Sequence, residues 1–501
     1  MEVQVSPVET IASAEPQLEL NAGDSSLKIR GTDHSFVPKR VRGPSWILIV
    51  AGFVLLFATG RKPRVEPSSS SSALPPVEAP VEAPVEAAVE APVEDAVEQQ
   101  AKRDDWGVPS LEHFEETLPP MLKEGKELLA AWSSAYISER ESSGYAEDYQ
   151  RAVALALSKG SNDSLVGMTI VLENVKPFNW SIENKPLPQA LRITGVVGHF
   201  SWNLVLSAEE IATKSKFSVL IPVVDMKKHA GSPEEEVQKK MRRAAEHEKN
   251  AALQACGHIA AELAASQKGI SIPIYTGEIS GLDGIHSVGD IKVYGTVGLT
   301  VPVWGGLRFL RERIGELVEE ARDYMAYRLL LMALKLENSG VAHLQFDWNS
   351  LFLREDGSFL LGNFASAAPF GDEASSLGSG MTMHPEPSLI VNLCRTLTVT
   401  PKGKTNMWNL GALLFHLYTG NEHPYGEPGG PDSPQELISL SKQLLEKEVR
   451  SNVLMPKLEA SKVPRRWAEL IVRLLEPTSS HRISSSQVVL EFPDLINQQA
   501  E

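Results

Sequence analysis

Uncharged side chains fill the positions where the stretch Val341 to Ala365, VAHLQFDWNSLFLREDGSFLLGNFA, could hold reactive groups. Gln345 follows His343 closely, Ser350 comes after a short loop, and Asn363 follows the apolar runs Leu351-Phe352-Leu353 and Phe359-Leu360-Leu361. Asp356-Gly357 between those runs suits a hairpin turn. Carboxylates at this spacing could orient a hydroxyl, accept its proton and hold magnesium against a phosphate. Gln345, Ser350 and Asn363 can only exchange hydrogen bonds. A neutral amide is no base near neutral pH, and it offers a cation an oxygen without a charge.

Further landmarks give this stretch a context. His384-Pro385-Glu386 precedes Asn406-Met407-Trp408-Asn409-Leu410-Gly411, which opens a strongly apolar helix, and Arg482 follows Glu476-Pro477. In this order the chain resembles the protein kinase superfamily, with its H-R-D-L-x-x-x-N, D-F-G, A-P-E and D-x-W-x-x-G motifs. His343 matches the motif histidine, while Leu344 and Gln345 stand for the arginine and the catalytic aspartate. Ser350 replaces the metal-binding asparagine, and Asn363-Phe364-Ala365 replaces D-F-G. The resemblance implies an α+β, bilobal fold with a small β-rich N-lobe and a larger helical C-lobe. His343, Phe364, Trp408 and Gly411 would then be scaffold, with Glu386 and Arg482 forming a structural ion pair.

Upstream, Leu191 to Val205, LRITGVVGHFSWNLV, takes the place of the glycine-rich loop. Only Gly198 and Phe200 fall in step with G-x-G-x-x-G, leaving a degenerate cofactor-binding loop, and Val196 and Ser201 fill the other glycine slots. Bulky residues there hold backbone away from phosphates. The strand Phe217 to Ile221 puts Leu220 where a lysine would meet the phosphates. Lys227, beyond Pro222, and Asp347 are the residues a relocated active site would need. Ser232-Pro233-Glu234 reads as a helix start with Ser232 as N-cap, and Glu235/Lys239 and Glu236/Lys240 are spaced as i,i+4 pairs. With no strand lysine to pair with, no glutamate of this helix stands out. The charge mix is a solvated face, and no nucleic-acid partner is expected.

The elements that would position these residues occupy the last four-fifths of the chain. Residues 1–42 read as a disordered tail and 43–60 as a signal-anchor or transmembrane segment. The latter is 18 residues without charge, of which Trp46 to Ala58 are strictly apolar. Residues 61–104 read as a disordered linker whose Pro-Val-Glu-Ala repeat carries seven acids between Val77 and Gln100, within a net charge of −16. Residues 105–158 form a helical extension, 159–304 the N-lobe and 305–498 the C-lobe. A single amphipathic helix is expected from Leu307 to Leu336. Cys256 and Cys394 are too few for a disulfide scaffold, no cluster has metal-ligand spacing, and Asn162 and Asn179 head formal glycosylation triplets.

The helical extension, the proline-broken strand SVLIPV, the run FLLGNFASAAPFG and N-x-W-x-L-G together are similar to the rhoptry kinase family of apicomplexan parasites. That resemblance implies a protein of the secretory route, released from rhoptries into the host cell or vacuole. Some members of the family are active serine/threonine kinases and others are pseudokinases. The departures at Leu220, Gln345, Ser350 and Asn363 imply the second kind, with no metal or cofactor required and residual metal-free ATP binding left open. Protein partners, host-cell signalling proteins or active kinases among them, and a membrane association through 43–60 follow from it. An atypical active kinase is the alternative.

Overall fold

The computed structural model describes residues 107–142, 146–158, 164–179, 186–229, 232–282, 284–375, 385–396, 398–426, 434–446 and 451–497. The expected tail, anchor and acidic linker lie outside the described residues, as do Asn162, His384 and the Cys394 side chain. Among the described residues no helix is long and apolar enough to cross a membrane.

Three helices come first: α1 (Leu111–Glu116), α2 (Pro120–Ser142) and α3 (Glu147–Ser158). Ser110 caps α1, its hydroxyl accepting from the His113 N–H at 3.1 Å. A sheet follows, built from β1 (Thr169–Pro177), β2 (Ala190–Phe200), β3 (Asn203–Glu210), β4 (Lys216–Asp225), β5 (Pro273–Ile279), β6 (Ile285–Val288), β7 (Ile291–Tyr294) and β8 (Thr296–Thr300). Its order is β3-β2-β1-β5-β8-β4-β7-β6, and β3 also pairs with β4. The strands β1, β2, β3, β4, β8 and β5 therefore close on themselves.

Closure is the work of β1. Its first half pairs with β2, from Thr169↔Arg192 to Val171↔Ala190. Its second half pairs with β5, from Leu172↔Ile279 to Pro177↔Tyr275, across an irregularity between Glu173 and Lys176. Asn174 sits in that irregularity with φ 52°, a conformation that asparagine tolerates better than most residues. A closed ring leaves no bare edge on the strands that carry the glycine-loop counterpart. Alternation then sorts the side chains. Leu204, Leu206, Val219 and Ile221 join the main core, while Val205 and Leu220 turn to a separate cluster facing the helical half.

The helix after β4 is α4 (Glu234–Cys256). Its N-cap is Pro233, with no side-chain cap, so the expected Ser232 cap is corrected: the Pro233 carbonyl accepts from Glu236 and Val237 N–H groups at 3.0 and 3.2 Å. The expected single helix from Leu307 to Leu336 is also divided. Short helical turns cover Leu307 to Glu316, Leu317 and Val318 are extended, and α5 (Glu319–Asn338) starts afresh. Ile314, Leu317 and Tyr324, the apolar positions that suggested one helix, are all in the core on either side of the break.

The linker pair β9 (Gly305–Gly306), β10 (Val341–Ala342), β11 (Leu351–Leu353), β12 (Phe359–Leu361) and β13 (Ala368–Pro369) frame the stretch read first in the sequence. The helical half continues through α6 (Pro387–Thr396), α7 (Thr405–Thr419), α8 (Pro434–Glu446), α9 (Ser451–Ala460), α10 (Arg465–Leu474), α11 (Ser485–Glu491) and α12 (Pro493–Ile496). Helix α7 is buried from Thr405 to Tyr418.

The extension is docked by charge as well as by apolar area. Glu115 on α1 meets the buried Arg328 guanidinium of α5, accepts from Tyr324 Oη at 2.8 Å and pairs with Lys126 at 2.8 Å. Lys126 also pairs with Asp356 in the hairpin turn at 2.9 Å. Burial pushes the Asp356 carboxyl up, but its hydrogen bonds to Ser358 and Lys126 outweigh that and bring it down to about 2. At Gly125 the helices touch backbone to backbone: a Cβ there would lie 2.0 Å from the Glu320 carbonyl oxygen.

Candidate functional site

Leu220 sits on β4 opposite Val205 of β3 and Gly298 of β8. It packs against Val197, Phe200, Val205, Ala265, Val303, Phe352 and Leu360. A nucleotide held between kinase lobes would need this space. Phe200 lies in it, its ring 4.9 Å from Phe352 and edge-on at 74°. The ring also touches the lobe linker, since a Cβ on Gly306 would come within 2.4 Å of it. Gly198 makes the approach to Phe200 feasible, standing at φ 145° beside an irregularity in the β2–β3 pairing.

The lobe linker spends its donors internally. Val303 N–H donates to Ser218 Oγ at 2.9 Å, Trp304 N–H donates to the Leu353 carbonyl at 2.7 Å, and Gly305 and Gly306 pair with β11. Position 302 is a proline and has no N–H.

The three neutral positions from the sequence meet at one point. Asn363 Nδ2 donates to Gln345 Oε1 at 3.2 Å and lies 3.5 Å from Ser350 Oγ. Asn363 adopts a left-handed backbone, φ 62°, which turns its amide back toward the loop. An N–H thus occupies the centre where a kinase would gather oxygens around magnesium. Among the described residues no group of three or more His, Cys, Asp or Glu could hold a metal ion. The residues present do not fit a magnesium ion, because the donor set is neutral.

His343 and Phe364 brace this cluster from below. Their rings meet edge-on at 4.7 Å, and His343 Nε2 lies 2.9 Å from the Gly362 carbonyl. Burial lowers the His343 imidazole to about 4, so it stays neutral. Its backbone N–H donates to Asn406 Oδ1 at 3.0 Å, while Asn406 Nδ2 donates to the Val341 carbonyl at 2.8 Å and to Glu337 Oε2 at 3.0 Å. Leu344, with φ 54°, packs against Ala368, Ala374, Leu389 and Val399.

One residue of the site escaped the sequence reading. Glu248 of α4 accepts a hydrogen bond from the Phe364 backbone N–H, and burial pushes its carboxyl up to about 7. It takes the place of the helix glutamate that would pair with a strand lysine, yet the strand offers Leu220. A signal for it existed. Val237, Ala251, Ala252 and Ala255 are the buried face of α4, and Glu248 falls on the same stripe at helical spacing.

The residues needed for relocated catalysis are elsewhere engaged. Lys227 is exposed and pairs with Asp290 at 3.1 Å, an ion pair that raises its ammonium pKa. Asp347 is buried, and its Oδ1 accepts from Asn349 N–H at 2.8 Å. Asn179 donates its amide to the His258 and Ile259 carbonyls at 2.9 and 3.1 Å, which occupies the group a glycan would need. Cys256 is a buried free thiol.

The scaffold positions converge on α7. Arg482 and Glu386 pair at 3.2 Å with both side chains buried. Glu386 also accepts from Thr405 Oγ1 at 2.9 Å, and the Arg482 guanidinium lies 5.2 Å from the Trp408 ring. A Cβ on Gly411 would come within 2.8 Å of Leu474, so α7 and α10 cross at a point where only glycine fits.

No family model matches the chain. A probable serine/threonine-protein kinase of Dictyostelium discoideum is 25% identical over 176 residues, which is 34% of this chain and 29% of that protein. The chain thus spans under a third of that relative. Similar solved structures come from Toxoplasma gondii. One is ROP2, described as a virulence factor with a protein-kinase fold and no enzymatic activity, at TM-score 0.54 and 14% identity over 75% of this chain and 96% of that one. A rhoptry antigen kinase domain matches at TM-score 0.51 and 16% identity, covering 75% and 97%. The ROP18 kinase domain, solved with AMP-PNP and sucrose, matches at TM-score 0.51 and 15% identity, covering 76% and 95%. The chain has the protein-kinase fold, with rhoptry kinases as its structural neighbours.

Proposed function

We propose that this protein is a catalytically silent kinase fold, a pseudokinase, that works by binding other proteins. The observation that carries the reading is the Asn363 amide directed at Gln345 and Ser350. Phosphoryl transfer depends on negative charge fixed around magnesium and on a base at the hydroxyl, and losing one such group commonly costs thousands-fold in rate. Here the lysine, the base and both metal ligands are replaced together. ROP2, a fold neighbour described as having no enzymatic activity, supports the reading by analogy. On the same analogy the protein is a secreted rhoptry effector whose partners are host or parasite signalling proteins, with residues 43–60 directing it to the secretory route or a membrane.

The test is a thermal-shift and calorimetric titration of the full chain with ATP, alone and with magnesium or manganese. No metal-dependent shift and no phosphate transfer to a generic basic substrate are expected. Saturable magnesium-dependent stabilisation would overturn the proposal.

A further inference from the structure

The short strands β6 and β7 form a hairpin at the end of the sheet order, where β6 pairs with β7 and with no other strand. Gly289, at φ 59°, and Asp290 make its two-residue turn, with Val288 opposite Ile291. That register settles which backbone groups face which way. In such a hairpin the closing pair exchanges both hydrogen bonds, and every second pair after it does the same. Val288, His286 and Gly284 therefore bond inward, and at the far end the Gly295 N–H donates to the Gly284 carbonyl at 2.9 Å. Ile285 and Ser287 direct their N–H and C=O groups away from β7. Among the described residues no backbone hydrogen bond from another element reaches either of them.

The edge is open yet firmly held. Natural sheets blunt an open edge with lysine, proline or a bulge, and Ile285-His286-Ser287-Val288 has none of these. Lys292 of β7 pairs with Glu234 of α4 at 3.0 Å and donates to Ser287 Oγ at 2.8 Å, which ties the hairpin to that helix. Val293 belongs to the main core, and Val288 and Ile291 pack on it. The two faces of the hairpin differ in character. His286 and Val288 share one with Val293 and Ile291, and Ile285 and Ser287 share the other with Tyr294 and Lys292. An incoming strand meets a counterpart that is already ordered, so little conformational freedom is lost on pairing.

We infer that β6 is a docking edge at which an extended segment of another protein adds as a further strand. Outward N–H and C=O pairs at alternate positions match one chemistry, that of an extended backbone. The segment is proline-free where it bonds. Its residue beside Ser287 is polar, because it meets Lys292 and Glu234, and the next is apolar, on the side of Val288. Charge argues against a second copy of this chain as the occupant. Two β6 edges paired about a twofold axis would bring together two helix starts of Glu234-Glu235-Glu236, on chains of net charge −16 each. The inference deepens the proposed binding role and rests on it for the partner's being a protein.

Selection of random peptides displayed on phage against the full chain tests it, with Ser287→Pro and Ser287→Ala as comparisons. Proline removes an N–H that faces outward and leaves the bonds to β7 in place, while alanine keeps that N–H. Selected peptides are expected to alternate apolar and polar residues and to bind Ser287→Ala as they bind the natural chain. They should lose about tenfold or more in affinity for Ser287→Pro, and as much when N-methylated at alternate residues. The methylated peptides leave the protein untouched, so they decide the matter if Ser287→Pro fails to fold. On peptide binding, hydrogen exchange of the Ile285 and Ser287 amides should slow by about tenfold, while His286 and Val288, already bonded to β7, change less. Binding that survives both proline and N-methylation, or a selection yielding no peptide that slows those two amides, would overturn the docking edge. Magnesium-ATP binding with phosphate transfer would instead overturn the non-catalytic reading and leave the edge standing.

Discussion

Asn363 gives its amide N–H to Gln345 at 3.2 Å, across a gap of 18 residues in the chain. An aspartate at either position would bring an acceptor with charge, and a cation could join the two. With two amides the pair is joined by a neutral hydrogen bond, and Asn363 Oδ1 stays buried without a partner. Each residue is buried or partly buried, so the hydrogen bond also stabilises the loop that follows His343.

Restoring a single acid should therefore harm the protein. Asn363→Asp removes the donor to Gln345 and places a carboxylate close to Glu248, with no lysine nearby on β4. A loss of about 1–3 kcal/mol in urea unfolding is expected. Added magnesium should fail to recover it, because the charge set around Asn363 remains incomplete. Recovery of the melting temperature by millimolar magnesium would contradict the account of this cluster.

Arg482→Met should be much more damaging. It strands the buried Glu386 carboxylate and removes the guanidinium from the Trp408 face. Breaking one partner of such a pair costs about 3–5 kcal/mol. The double change Glu386→Gln with Arg482→Met should recover part of that loss, since no uncompensated charge is left. Chemical denaturation of Arg482→Met, Glu386→Gln and the double variant measures the coupling.

Stability should peak in mildly acidic solution. Burial raises Glu248 and Glu337 from an ordinary 4.5 to about 7, so the folded state keeps their protons while the unfolded chain releases them. Their contribution is full below pH 4.5 and declines as pH rises toward 7, by about 3 kcal/mol for each group at most. Burial lowers His199, His343 and His416 from 6.5 to about 4, which is the opposite case: their contribution is full above 6.5 and lost as pH falls toward 4. From pH 4.5 to 6.5 the three imidazoles outweigh the two carboxyls, and above that only the carboxyl limb is left, so the maximum falls near pH 6.5. Melting temperature against pH checks this, and Glu337→Gln should flatten the alkaline limb.

The docking of the extension rests on a backbone contact that a methyl group would break. Gly125→Ala should force α2 away from α5, where the added carbon meets the Glu320 carbonyl. A cost of about 1–3 kcal/mol is expected. Protease cleavage within α1 and α2 should become faster in that variant, while Lys126→Met, which loses two ion pairs but keeps its packing, should have the smaller effect.

Much of the helical half could be read from the chain because its signals are local. The hairpin at Asp356-Gly357 and the buried helix beginning near Asn406 follow from turn chemistry and from continuous apolar sequence. The positions of His343, Phe364, Glu386 and Arg482 follow from motif order. Reading failed where backbone geometry overrode a pattern. Periodicity ran unbroken from Leu307 to Leu336, yet the extended Leu317-Val318 divides it. Ser232 looked like a cap, yet Pro233 supplies the carbonyl at which the helix starts. Glu248 sat among several glutamates, and only the direction of α4 shows which one faces Phe364.

The amino-acid order by itself determined which charges are missing. Leu220, Gln345, Ser350 and Asn363 cannot carry or hold one, whatever surrounds them. It also determined the alternation and periodicity that make strands and helices, since these depend on residues a few positions apart. Tertiary structure decided what fills the vacated chemistry: Phe200 against Phe352, β1 closing the sheet by changing neighbours midway, and Tyr149 laid on His199. Each of those joins residues far apart in the chain, or a strand to two partners at once. Such contacts arise only when the whole core has packed, because loop closure and side-chain fit, and no local preference, select them.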